Sequence, residues 1–289
     1  MSASLNLFDL TSLSYIESAD DTRLRPYREL TGATTLLRSG LFVAEGRFVV
    51  ERLIALRRYR LHSLLVTSPA WTALSRALGH HAVDLPPDVP VYVVSQLVMN
   101  DVVGFNIHRG CLALAYRPAA HARDELTLSS LRRALVLEGV NNPDNVGGLF
   151  RSAAAFGVDA VVLGPACGDP LYRKAIRTSM AATLSVPFIE AEAWPDALVQ
   201  LRQSGLRVLA LSLGADATSL AHVQVSASDR IAILVGSEGQ GLTQSALAAC
   251  EERVRIDMSS AVDSLNVTVA ASIAMYAVFR APQCGQVRP

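Results

Sequence analysis

The chain has 289 residues, 51% of them apolar, with 26 basic side chains balanced by 26 acidic ones. That composition excludes disordered, collagen-like and disulfide-scaffold proteins and implies at least one sizeable core, with two domains favoured over one at this length. Zero formal net charge leaves no global field for a polyanion, so any nucleic-acid partner must be met by local patches.

The first residues (MSASLNLFDLTSLSYIESADD) are acidic and have no basic start followed by an apolar core. They read as an N-terminal tail over 1–22, not as a signal peptide. From there apolar strand-like runs alternate with helix-like segments: LFVAEG, RFVVERLIALRRYR, LHSLLVTS, PAWTALSRALG, VPVYVVS and GCLALAYRP. The alternation predicts a small α/β domain over 23–117. Within it Arg52, Arg57, Arg58 and Arg60 form a basic cluster, readable as phosphate contacts or equally as a solvated helix face. His80 and His81 read as loop residues, and His108 beside Arg109 as an RNA contact or a turn cap. The stretch 118–131, polar and carrying Pro118, reads as a linker.

A second series occupies 132–289. Its predicted strands are Ala134–Val140, Ala160–Gly164, Leu206–Ser212, Ile231–Gly236 and Arg253–Ile256. Helices are expected near Gly148–Phe156, Tyr172–Met180, Trp194–Ser204 and Leu265–Arg280. Near-continuous apolar strands separated by helices predict a mostly parallel sheet covered on both faces, with ligands beyond the carboxyl ends of its strands. Cys111, Cys167, Cys250 and Cys284 show neither C-x-x-C pairing nor histidines at ligand spacing, which predicts free thiols and no metal. The longest apolar stretch, Val267–Phe279, is too short to span a bilayer, so the expectation is a cytoplasmic protein without a membrane partner.

Three loops of this series carry residue types suited to chemistry. In EGVNNPDNVGGLFR, from Glu138 to Arg151, Asn142, Pro143 and Asp144 read as turn residues, and Gly147 and Gly148 let backbone approach something closely. Arg151 offers a planar fork to phosphate or ribose oxygens, although an ordinary strand-to-helix turn with a surface Arg reads equally well. In LVGSEGQGL, from Leu234 to Leu242, glycines around Glu238 make either a backbone cradle or a plain Gly-rich turn. Neither loop matches the dinucleotide or phosphate-loop fingerprints. In IDMSSAVDSLNVTVAASIAMYAVF, Ser264 is a candidate helix cap, and Asn266 an amide that orients substrate or satisfies backbone.

Together the three loops resemble the three motifs of the SpoU/TrmH family in the SPOUT class of methyltransferases. The matches are N-x-x-x-x-x-R from Asn145 to Arg151, G-S-E-G-x-G-L from Gly236 to Leu242, and S-L-N-V-[ST]-V-A-A from Ser264 to Ala271, in the family's order. The resemblance spans roughly 132–282. The first domain is similar to the substrate-binding domain, of small ribosomal-protein type, that many members carry.

The resemblance implies a C-terminal parallel sheet closed by a deep trefoil knot, S-adenosylmethionine as cofactor, and methylation of a ribose 2′-hydroxyl in structured tRNA or rRNA. It implies a homodimer formed through the C-terminal domain, with Ala270, Ala274 and Tyr276 on a helix face that meets the partner or the core. The implied catalytic set is Asn145, Arg151, Glu238, Ser264 and Asn266, with Glu238 and Asn145 orienting Arg151. The implied cofactor contacts are Gly236, Ile256, Leu265, Leu211 and Met258. Two residues depart from the pattern: Asp257 stands where the family usually has Pro, and Ala181 where a Gly often follows Ser179 and Met180. Competing readings are a non-catalytic RNA-binding member of the same fold, a base methyltransferase of another SPOUT branch and, more distantly, a Rossmann dehydrogenase.

Overall fold

The structure, a computed structural model, describes residues 13–28, 39–80, 85–104, 110–118, 127–214 and 216–279. These divide into two compact units, the first running to Ala122 and including Leu171–Leu184, the second comprising Arg123–Pro170 and the chain from Ser185 onward.

The first unit is a five-stranded sheet in the order β1-β4-β3-β5-β2. Its strands are β1 (Leu13–Ile16), β2 (Leu41–Glu45), β3 (Leu61–Thr67), β4 (Val91–Val94) and β5 (Cys111–Tyr116). β1 and β3 run parallel to β4, whereas β5 is antiparallel to both β2 and β3. The helices are α1 (Arg25–Arg28), α2 (Arg47–Leu56), α3 (Ser68–His80) and α4 (Gln96–Val103). Local chemistry sets their limits. Ser95 caps α4 by accepting from the Val98 N–H at 3.2 Å, and Gly104 closes it with φ 74°. α2 closes on Arg57 at φ 51°, a conformation that costs a side-chain-bearing residue about 1–2 kcal/mol. Tyr27, Leu41, Val43, Leu65, Met99, Leu112 and Leu114 fill the core, and the buried Tyr27 hydroxyl shares a 2.7 Å hydrogen bond with Ser63 Oγ.

Two boundaries differ from the sequence reading. The expected tail contains β1, because Leu13–Ile16 finds a parallel neighbour in β4 that no local pattern announces. The segment expected in the second series near Tyr172–Met180 belongs to the first unit as α5 (Arg173–Thr178) and α6 (Ala182–Ser185), with Arg173 Nε 3.6 Å from Glu45 Oε2 of β2. Between these helices Met180 and Ala181 stand at φ 52° and 66°, which explains why a glycine suits position 181. Most of the stretch expected to be a linker, along with His81, His108 and Arg109, lies outside the described residues. His80 is the exposed last residue of α3.

The second unit is a seven-stranded sheet in the order β10-β12-β9-β11-β6-β7-β8. Its strands are β6 (Arg133–Glu138), β7 (Ala160–Leu163), β8 (Phe188–Glu190), β9 (Arg207–Leu211), β10 (Thr218–Ser219), β11 (Ile231–Gly236) and β12 (Glu252–Arg255). Every pairing in it is parallel. One face buries Ala134, Val136, Val162, Val208, Ala210 and Leu234 beneath helices α8 (Asp196–Gln203) and α9 (Gln244–Ala249). α10 (Val267–Val278) packs on α7 (Pro143–Ala155) and on β11.

α7 starts five residues before its expected first residue. Asn142 is its cap, accepting from the Asp144 N–H at 2.9 Å, and Pro143 occupies the first turn, where its missing N–H costs nothing. The residues read as a turn therefore begin the helix. The close approach at Gly148 is to another helix, since a Cβ there would lie 2.7 Å from Thr268 Cγ2 of α10.

Candidate active site

Parallel strands deliver their following loops to one edge of the sheet, and the ends of β9, β11 and β12 enclose a cavity of about 540 Å³ together with the segment that enters α10. All five expected cofactor contacts, Leu211, Gly236, Ile256, Met258 and Leu265, line it, and so do Glu238 and Ser264. The glycines shape the wall. A Cβ on Gly236 would meet the Gly241 carbonyl carbon at 2.4 Å and Leu242 N at 2.7 Å, so only a bare backbone allows the loop to fold back on itself. A bridge between Ser237 and Gly241 closes the turn, and Gly239 and Gly241 adopt φ 93° and 67°. A cavity of this size, lined by apolar side chains and glycine-rich backbone, suits a small organic ligand.

At the rim one amide joins all three loops. Asn266 Nδ2 donates to Glu238 Oε1 at 2.6 Å and to Asn145 Oδ1 at 3.0 Å. Its Oδ1 accepts from the Thr268 and Val269 N–H groups at 3.0 and 3.4 Å, so the same residue caps α10. The expected cap, Ser264, instead faces the cavity, because only Asn266 stands directly before the first turn. Glu238 Oε1 also lies 3.4 Å from the Val267 N–H, at the positive end of the α10 dipole. Asn145 is 8% exposed and receives Thr268 Oγ1 on its carbonyl at 3.4 Å.

Arg151 stands apart from this network. It is exposed on α7, beside Ser152, whose hydroxyl bonds Ser272 of α10 at 2.8 Å. Among the described residues Arg151 makes no hydrogen bond or ion pair, so the orienting contacts expected from Glu238 and Asn145 are absent; both of those side chains bond Asn266 instead. The two departures are also resolved. Asp257 turns to the neighbouring strand, accepting from the Ser219 hydroxyl and from Arg255 Nε at 3.2 Å. The Ser219 bond, then the nearby Arg255 charge, holds its carboxyl below the usual range. Cys111, Cys167 and Cys250 are free thiols, and among the described residues no cluster of His, Cys, Asp and Glu could hold a metal. Among the same residues no helix is long and apolar enough to cross a membrane.

One buried carboxylate beside the cavity loop carries no motif in the sequence. Glu138, 3% exposed at the end of β6, accepts from Trp194 Nε1 at 2.6 Å and from the N–H and hydroxyl of Thr243 at 2.9 and 2.7 Å. A carboxylate ending an apolar strand was its only signal in the sequence.

An open parallel sheet with a ligand-sized cavity beyond its strand ends, rimmed by a carboxylate and two amides, is the arrangement of an α/β protein that binds a small ligand at its strand ends. The SpoU rRNA Methylase family model matches residues 132–276. An uncharacterized tRNA/rRNA methyltransferase of Mycobacterium tuberculosis is 42% identical over 263 residues, covering 89% of this chain and 88% of that one. The 23S rRNA (guanosine(2553)-2'-O)-methyltransferase RlmP of Bacillus subtilis is 25% identical over 264 residues, covering 91% and 98%. The crystal structure of an AdoMet-bound rRNA methyltransferase from Sinorhizobium meliloti has the same fold, with a TM-score of 0.75 at 19% identity over 92% of this chain and 97% of that one. The chain belongs to the SpoU rRNA methylase family and is an RNA methyltransferase.

Proposed function

We propose that the protein methylates a ribose 2′-hydroxyl of structured tRNA or rRNA, with the cavity between the ends of β9, β11 and β12 as its cofactor site. The cofactor is S-adenosylmethionine, which the Sinorhizobium protein holds bound. The observation that carries the reading is Asn266, whose amide gathers Glu238 and Asn145 at the cavity rim. Ribose as the target is supported by the Bacillus relative, named for 2'-O methylation.

Bound in the cavity, S-adenosylmethionine supplies a methyl group on a sulfonium, open to in-line attack. The chain's own residues then bring the ribose oxygen to that methyl, and such positioning supplies much of the rate. Gly236, Leu211, Ile256, Met258 and Leu265 hold the cofactor by backbone and apolar contact, while Asn145, Glu238, Ser264 and Asn266 fix the substrate side. Arg151, which hardly ever gives up its proton, stabilises the developing alkoxide while a phosphate oxygen of the RNA accepts the hydroxyl proton. A second chain completes the assembly. On α10 the exposed Val269, Ile273 and Tyr276 form a stripe that suits a homodimer, whereas Ala274 is buried in the core and Ala270 lines the cavity. We further propose that the segments around β11 and β12 form the family's trefoil knot, and that the first unit, with exposed Arg52, Arg57 and Arg60, carries the RNA.

Nuclease digestion and mass spectrometry of RNA treated with the protein and S-adenosylmethionine tests the reaction. A 2′-O-methylnucleoside is the expected product. A methylated free base after depurination points to a base methyltransferase, and cofactor binding without transfer points to a non-catalytic member.

A further inference from the structure

We propose that Glu138 is a positioning residue for the cofactor wall: its buried carboxylate sets the Ser237–Leu242 loop against the sheet, so that the loss of this carboxylate weakens cofactor binding. The inference rests on the assignment of the cavity to S-adenosylmethionine.

Glu138 and Gly236 are partners in the β6–β11 ladder, so the carboxylate lies beside the point where the chain leaves the sheet to form the cavity loop. The loop's far end returns to the same group. Thr243, one residue past Leu242 of the cavity wall, donates its N–H to Glu138 Oε2 at 2.9 Å and its hydroxyl to Oε1 at 2.7 Å. The same hydroxyl accepts from the Ala246 N–H at 3.2 Å and caps α9. The carboxylate thereby fixes the far end of the loop whose middle carries Glu238, while the backbone ladder of the same residue fixes the near end. A third donor, Trp194 Nε1, also reaches Oε1, at 2.6 Å. The Trp194 ring covers Gly164, where a Cβ would come within 3.0 Å of ring carbon Cζ3.

None of these partners is a cation, and Glu138 is 3% exposed. A carboxylate buried with three donors is costly to keep unless each donor is satisfied, so the arrangement favours an acceptor-only group. Glutamine has nearly the same shape but only one acceptor oxygen. Its NH₂ must face either the Thr243 N–H or the Trp194 and Thr243 donors, which pushes one end of the loop away.

The test uses the full chain and isothermal calorimetry with S-adenosylmethionine. Glu138→Gln is expected to raise Kd at least tenfold, and Thr243→Val, which loses one of the three donors, to raise it severalfold. Thr243→Ser, which keeps both donors, is expected to bind as wild type. In initial-rate measurements the KM for the cofactor rises in both defective variants more than kcat falls. In a Trp71→Phe background, cofactor addition is expected to shift Trp194 emission, a response that requires no Glu138 variant to fold. Wild-type-like Kd in both Glu138→Gln and Thr243→Val, or unshifted Trp194 emission while the wild type binds, overturns the proposal. If the wild type itself shows no binding heat, the cavity assignment fails and this inference with it.

Discussion

Asn266→Asp separates the two tasks that one side chain performs. Aspartate caps a helix as well as asparagine and adds a favourable charge at the α10 N-terminus, so the melting temperature should move by the equivalent of less than about 1 kcal/mol. The Nδ2 donor is lost, and with it the 2.6 Å bond to Glu238 and the 3.0 Å bond to Asn145. A hydrogen bond to a charged group is worth about 1.5–3 kcal/mol. Two carboxylates held about as close as the present bond repel by roughly 1–2 kcal/mol at the dielectric of water. At about 1.4 kcal/mol per tenfold in rate, the variant should lose about 10²–10³-fold in methyl transfer. The assay is incorporation of labelled methyl into RNA lacking the modification, run beside thermal unfolding. Two facing carboxylates favour retention of a proton between them, so as pH falls a protonated Asp at 266 can again donate to Glu238, and the variant should recover activity relative to wild type. Wild-type rates near neutral pH would leave Asn266 as a cap alone.

Gly236→Ala places a methyl 2.4 Å from the backbone of Gly241 and should abolish cofactor binding in calorimetry while the far-UV spectrum stays native. Ile273→Glu, in the middle of the exposed stripe on α10, should convert the proposed dimer to monomer in sedimentation, with little loss of monomer stability because Ile273 is 39% exposed. Arg57→Gly relieves the left-handed end of α2 and should stabilise the protein by about 0.5–1 kcal/mol in denaturant unfolding. The same change should weaken RNA binding in a salt-dependent way if the basic cluster meets phosphates, and a binding curve indifferent to it would remove Arg57 from the interface.

Five of the seven described strands of the second unit are legible because burial on both faces demands unbroken apolar runs, and Ile231–Gly236 is read to the residue; the edge strands β8 and β10, of three and two residues, are too short to show such a run. The three loops were legible because their residues meet unusual needs: Gly236 has no room for a Cβ, and Asn266 must cap and donate at once. What escaped depended on partners far along the chain. β1 is a strand only because β4 lies beside it, and residues 171–184 look like any α/β connection until Glu45 meets Arg173. Pro143 misled because proline both breaks helices and begins them, and only the Asn142 cap distinguishes the cases. Glu138 was silent because its three donors come from Trp194 and Thr243, neither in a motif.

The double duty of Asn266 also bears on when the proposed centre can assemble during synthesis. A nascent chain that has emerged as far as Arg255 already contains every strand of the second sheet, yet it lacks the amide that joins Glu238 to Asn145 and the helix that amide begins. Ribosome-bound intermediates should therefore carry every strand with part of one sheet face uncovered, because Ala271, Ala274 and Met275 of α10 are buried, and a premature stop just before position 266 should yield a chain that neither closes that core nor assembles the proposed centre.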